Sequence, residues 1–127
     1  MKRSLFVSDL DGTLLGPNAV LSDYSRDTLW SLIREGLLFT VATARTVPSI
    51  RALLGEVSLP LPVVELNGVY LSDLATGRHL SVNAMTTDVA SDVIATLQRR
   101  GLSAFVATSA DDEDHIYYGD LPNPAMR

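Results

Sequence analysis

The stretch Ser8-Asp9-Leu10-Asp11-Gly12-Thr13-Leu14-Leu15 (SDLDGTLL) puts two carboxylates one residue apart and follows them at once with Gly-Thr. It stands where Ser4-Leu5-Phe6-Val7-Ser8, a short run of β-favouring residues, gives out, and that run reads as a buried strand. Because side chains alternate along a strand, Asp9 and Asp11 at its end face one crevice while Leu10 turns to the core. Asp and Gly are also common turn formers, so the stretch in isolation fits a plain surface turn equally well.

The segments that follow decide between these readings. Ser22 can cap a helix running from Asp23 to Glu35, with Leu29, Leu32 and Ile33 as its apolar stripe and Gly36 as its stop. Leu37 to Ala42 is a second strand-length run, followed by Thr43-Ala44-Arg45 and a helical stretch over Val47 to Leu54. Val63 to Leu66 is a third strand, ending at Asn67-Gly68. Strand, helix, strand, helix, strand is the rhythm of a parallel sheet. Val69 to Leu71 and His79 to Val82 predict a hairpin around Asp73 to Gly77. A last helix opens at Thr86 or Thr87, with Val89, Val93, Ile94 and Leu97 on one face. Ala104 to Ala107 and His115 to Tyr118 read as strands around the acidic turn Asp111 to Asp114. The predicted class is therefore α/β: a Rossmann-like parallel three-layer core, incomplete, over residues 1–82, and the start of a smaller α/β unit over 83–127.

Composition narrows the partners. A net charge of −5, with 10 Lys and Arg residues spread along 127 positions, forms no basic stripe and argues against nucleic acid. With no Cys, disulfides and thiolate chemistry are excluded. No apolar stretch approaches the ~18 residues of a membrane span, and the run at Leu5 to Val7 is too short for a signal-peptide core. These features predict a cytoplasmic protein.

In an open parallel sheet, ligands bind outside the carboxyl ends of the strands. Here those ends are Asp9 to Thr13, Thr43-Ala44-Arg45, and Asn67-Gly68. Two adjacent carboxylates repel unless a cation neutralises them, and an all-oxygen donor set favours Mg²⁺. Gly12 lets the backbone approach an anion, its amides and those of Thr13 make a phosphate nest, and Thr43 offers a hydroxyl. This donor set suggests phosphoryl transfer, with Asp9 as nucleophile and Asp11 as acid/base. Each residue also has a plainer reading: Thr43 as a helix N-cap, Asn67-Gly68 as a hairpin turn, Arg45 as the partner of an acidic neighbour. Asp111-Asp112-Glu113-Asp114 lacks the spacing of a calcium loop and reads as a solvated turn, and His79 and His115 read as packing residues.

Asp9-Leu10-Asp11-Gly12-Thr13-Leu14-Leu15 after one strand and Thr43-Ala44-Arg45 after the next resemble the haloacid dehalogenase superfamily. The Asn67-Gly68 step before a hairpin and an α/β insertion is similar to its Cof-type phosphatases. Ala44 stands where that group usually has Gly. The resemblance implies a Mg²⁺-dependent phosphatase of small phosphorylated metabolites such as sugar phosphates, acting through an aspartyl-phosphate. Asp9 and Asp11 would be both catalytic and metal-binding, Thr43 would hold the phosphate, Gly12, Thr13, Ala44 and Arg45 would contribute to phosphate or substrate binding, and Asn67 and Gly68 would line the pocket under a cap. The resemblance also implies a later Lys and a second acidic motif. The only Lys is Lys2, and Gly119-Asp120 is followed by Leu-Pro-Asn-Pro. The expectation is a portion of a longer protein with little or no activity of its own, prone to self-association through an uncovered sheet edge. A non-catalytic phosphate- or metal-binding module is the alternative. A phosphoacceptor receiver domain fits less well, since it would want its Asp after the third strand, where Glu65-Leu66-Asn67 stands.

Overall fold

The computed structural model describes residues 4–110 and 113–119. The chain divides into two compact units, Met1–Asn83 and Ala84–Arg127.

In the first unit, β1 (Leu5–Ser8) and β2 (Leu38–Val41) pair in parallel, with Leu5 opposite Leu38 and Ser8 opposite Val41. The crossover between them is α1 (Asp23–Arg34). Its N-cap Ser22 accepts a hydrogen bond from the Ser25 amide at 3.1 Å, and Asp23 and Arg34 complement the helix dipole at its two ends. After β2 the chain enters α2 (Val47–Leu54) and then β3 (Val63–Glu65), which joins the sheet through a parallel bridge between Ala42 and Val64. Beyond β3 the direction reverses, and β4 (Tyr70–Ser72) and β5 (His79–Val82) add an antiparallel hairpin. This is the mixed α/β, partial Rossmann-like arrangement the alternation predicts. Leu10, Val41, Ile50 and Val63 lie at its centre without solvent exposure, packed with Leu29, Leu54 and Phe39.

One expectation and one alternative reading are corrected here. The β1 strand is not buried: Leu5, Phe6 and Val7 are 56%, 54% and 54% exposed, although Phe39 and Thr40, the β2 partners of Phe6 and Val7, are buried. The cause is one-sided pairing, since among the described residues β1 has β2 on one edge and no strand on the other. Thr43 is not the cap of α2. Thr46 holds that position without a side-chain bond, and the Thr43 hydroxyl instead accepts from the Arg45 amide at 3.3 Å.

The second unit contains α3 (Thr87–Arg99) and a hairpin of β6 (Phe105–Ala110) and β7 (Glu113–Tyr118), paired from Phe105–Tyr118 to Ala110–Glu113. Glu113 and Asp114 belong to β7 rather than to a turn, whereas Asp111, Asp112, Asp120 and Lys2 lie outside the described residues. None of this unit's residues whose exposure is described is buried. Among the described residues, no helix is long and apolar enough to cross a membrane.

Candidate active site

The parallel register brings the carboxyl ends of three strands together. Ala42 donates to the Ser8 carbonyl at 2.9 Å and Thr43 to the Val64 carbonyl at 3.0 Å, so Asp9, Thr43 and Glu65 follow one another across the sheet end.

Asp9 leaves β1 in an extended conformation, and its Oδ1 accepts from the Leu10 amide at 2.7 Å. Leu10 drops fully into the core, which leaves Asp9 and Asp11 exposed on either side of it. The chain then closes a wide turn in which Leu15 donates to the Leu10 carbonyl at 2.8 Å, with Gly12 at φ +73°. That left-handed backbone is what glycine supplies here, since the space around a Cβ at this position is open. Gly12 and Thr13 are exposed, as an anion nest needs.

The end of β2 reaches across to this turn. Arg45 donates from Nε to Asp11 Oδ2 and from Nη2 to Asp11 Oδ1, both at 2.7 Å, and from Nη1 to Ser49 Oγ at 3.1 Å. This fork-on-fork geometry is the strong form of the guanidinium–carboxylate pair. The hydrogen bond from Arg45 holds the Asp11 carboxyl below its usual range, and Asp11 in turn raises Arg45. Arg45 thus does pair with an acidic neighbour, and that neighbour is the candidate acid/base. Thr43 is buried and Ala44 is exposed on the same loop.

At the end of β3, Leu66, Asn67 and Gly68 have φ of +48°, +56° and +94°. Asn and Gly tolerate this region, but for Leu it is strained. The strain is held by the neighbouring loop: the Leu66 amide donates to the Arg45 carbonyl at 3.2 Å and the Asn67 amide to the Thr43 carbonyl at 3.0 Å. The structure therefore brings Asp11, Thr43, Arg45 and Asn67 into one hydrogen-bonded network. Asp9, Gly12 and Thr13 lie on the adjoining turn, and Gly68 follows Asn67.

Sequence reading missed Glu65, which is 1% exposed at the end of β3. The available signal was a carboxylate inside the otherwise apolar run Val63-Val64-Glu65-Leu66, since such a residue seldom goes unpaired when buried.

For a divalent cation, the exposed oxygens of Asp9 and Asp11 are donors of the kind Mg²⁺ takes. Among the described residues, however, no group of three or more His, Cys, Asp or Glu side chains gathers around one point. The donors present fit the ion in kind and supply part of a coordination shell.

The profile of the haloacid dehalogenase-like hydrolases matches residues 6–122. The chain belongs to the haloacid dehalogenase-like hydrolase family. Among its relatives, the 5-amino-6-(5-phospho-D-ribitylamino)uracil phosphatase of Bacillus subtilis is 33% identical over 87 residues, 68% of this chain and 29% of that protein. An HMP-PP phosphatase of an Enterobacter species is 36% identical over 86 residues, again 68% of this chain and 31% of the relative. A haloacid dehalogenase-like hydrolase structure from Bacteroides thetaiotaomicron superposes with a TM-score of 0.71 at 22% identity, covering 97% of this chain and 46% of that one. At that identity the superposition shows the haloacid dehalogenase-like fold alone. The chain spans less than half the length of these relatives.

Proposed function

We propose that this chain carries the nucleophile and phosphate loop of a Mg²⁺-dependent phosphatase acting on small phosphorylated metabolites such as sugar phosphates, through an aspartyl-phosphate. The observation that carries the reading is the pairing of strand ends: Asp9 and Asp11 on one exposed turn after β1, with Arg45 from the end of β2 gripping Asp11 by two bonds of 2.7 Å. The substrate class is supported by the Bacillus subtilis relative, whose name specifies a phosphorylated ribitylaminouracil.

In this reading the Leu10 amide anchors Asp9 Oδ1, and Oδ2 attacks phosphorus. As the Asp9 O–P bond forms, the bond from phosphorus to the leaving oxygen breaks, and Asp11 gives that oxygen a proton. Water then attacks phosphorus and gives its proton to Asp11, the bond from Asp9 Oδ2 to phosphorus breaks, and inorganic phosphate leaves with the Asp9 carboxylate restored. The backbone amides of Gly12 and Thr13 and the hydroxyl of Thr43 hold the phosphate oxygens. Asn67 and Gly68 border the substrate. Mg²⁺, held by Asp9 and the Asp11 segment, would screen the repulsion between the attacking carboxylate and the phosphate. Before Asp11 can donate a proton it must leave Arg45, and an incoming phosphate dianion offers that guanidinium the same two-pronged partner.

A protein extending over the full length of the relatives is expected to hydrolyse p-nitrophenyl phosphate with Mg²⁺, and Asp9→Asn to lower kcat by about 1,000-fold or more. An Asp9→Asn protein with undiminished kcat overturns the assignment. For the 127 residues alone, we propose little or no turnover. The same feature favours a second reading, a phosphate- or metal-binding module without catalysis: Lys2 is the only lysine, and it precedes β1. Binding of phosphate and Mg²⁺ without turnover by this chain supports the module, and turnover excludes it.

A further inference from the structure

Directly behind the Thr43–Arg45 loop lies a buried carboxylate with no part in the chemistry proposed above. Glu65 Oε2 accepts from the amide of Val47, the first residue of α2, at 2.7 Å. Its Oε1 accepts from the hydroxyl of Ser72 on β4, with His79 Nδ1 of β5 at 3.4 Å. His79 Nδ1 is also 2.8 Å from Ser72 Oγ, and its ring stacks on Tyr70 with centroids 4.0 Å apart. Ser72 has a single proton and gives it to Glu65, so the bond between Ser72 and His79 requires the hydrogen to sit on Nδ1. One carboxylate thus joins the start of α2 to both strands of the β4–β5 hairpin.

We propose that Glu65 is a positioning residue for the phosphate loop: by accepting the Val47 amide, it fixes the segment Thr43–Thr46 against the end of β3. The proposal deepens the phosphatase reading and rests on it for the statement that this loop binds phosphate. Three features support it. The loop is only four residues long and is tethered at its start, where Thr43 donates to the Val64 carbonyl. Glu65 holds its far end, one residue past Thr46. Between these two points the loop's carbonyls carry the strained Leu66–Asn67 turn. A buried amide at the first turn of a helix has no partner within the helix, so Glu65 also supplies the acceptor that Thr46 does not. Loss of that acceptor frees the loop end and leaves a buried donor unsatisfied.

The test compares three variants of the 127-residue chain by amide hydrogen exchange and by titration with inorganic phosphate in the presence of Mg²⁺. Glu65→Gln keeps the shape but presents an amide group where an acceptor is needed. Val47→Pro cuts the same link from the other side with a residue that suits the first turn of a helix, and it serves if Glu65→Gln does not fold. Ser72→Ala disturbs the same buried cluster while sparing the bond to Val47. The expected result is that Glu65→Gln and Val47→Pro lower the protection of the Thr43 and Arg45 amides by about tenfold relative to those of Phe39–Val41, and weaken phosphate binding by about tenfold. Ser72→Ala should change both by no more than about twofold. The proposal is overturned if folded Glu65→Gln and Val47→Pro chains match the parent in both readouts, or if Ser72→Ala loosens the loop as much as they do. If the parent chain binds no phosphate, the binding reading fails for this chain, while the exchange pattern still decides the role of Glu65.

Discussion

In the unit Met1–Asn83, Leu10, Val41, Ile50 and Val63 have lost all contact with solvent, whereas in Ala84–Arg127 no residue whose exposure is described is buried. Both units are written in the same local signals. The α3 helix has an acidic first turn, a basic last turn and an apolar face, as α1 does. What differs is the number of layers available to each. The first unit packs α1, α2 and a sheet end into one core. Among its described residues the second offers one helix and a two-stranded hairpin, an arrangement too small to exclude water from an apolar face. Val89, Val93, Phe105 and Ile116 accordingly remain about half-exposed. An amphipathic pattern specifies which side of an element seeks cover but does not supply the cover.

The largest effect that could break this contrast is a core truncation in each unit. Ile50→Ala in α2 should cost about 3–4 kcal/mol in chemical denaturation, while Ile94→Ala in the half-buried face of α3 should cost less than about 1 kcal/mol. Equal costs would mean that the second unit holds a core of its own. Amide exchange should draw the same line, with Phe39–Val41 about 100-fold more protected than the strands of the β6–β7 hairpin. Uniform protection would make the chain one cooperative block.

Within the first unit, Gly12→Ala should cost about 1 kcal/mol through its φ of +73° alone, since the space for a methyl group is open. A neutral result in thermal unfolding would show that the turn relaxes. Among the described residues β1 has no strand on one of its edges, and we propose that a second copy of that strand pairs there at high concentration. Phe6→Lys should then shift sedimentation toward monomer, and an unchanged profile would remove β1 from any such contact.

The smallest effect concerns pH. Because Arg45 lowers the Asp11 carboxyl in the folded chain, the folded state binds fewer protons there than the unfolded state in the acid range. The contribution is therefore fully present above the unfolded value near 3.8 and is lost as pH falls through the lower folded value. Asp11 is half-exposed, so the effect is modest and should shrink with added salt. Asp11→Asn should flatten this part of the acid unfolding curve. An identical acid limb in the variant would show that the pair contributes nothing.

Much of the site could be read from residue order, because its parts stand at strand ends that hydrophobic runs mark clearly. Asp9, Asp11 and Gly12 follow one such run, Thr43 to Arg45 the next, and Asn67-Gly68 the third. Two features escaped that reading for the same reason. The exposure of β1 depends on how many strands flank it, and the burial of Glu65 depends on the Val47 amide and the Ser72 hydroxyl, which lie 18 and 7 residues away in the chain. The Ser22 cap of α1 and the turn at Gly12 are settled by neighbours a few residues apart, so local chemistry suffices for them. Pairing Arg45 with Asp11 and closing the loop with Glu65 require segments distant in sequence to meet, and that meeting is set by packing across the whole sheet.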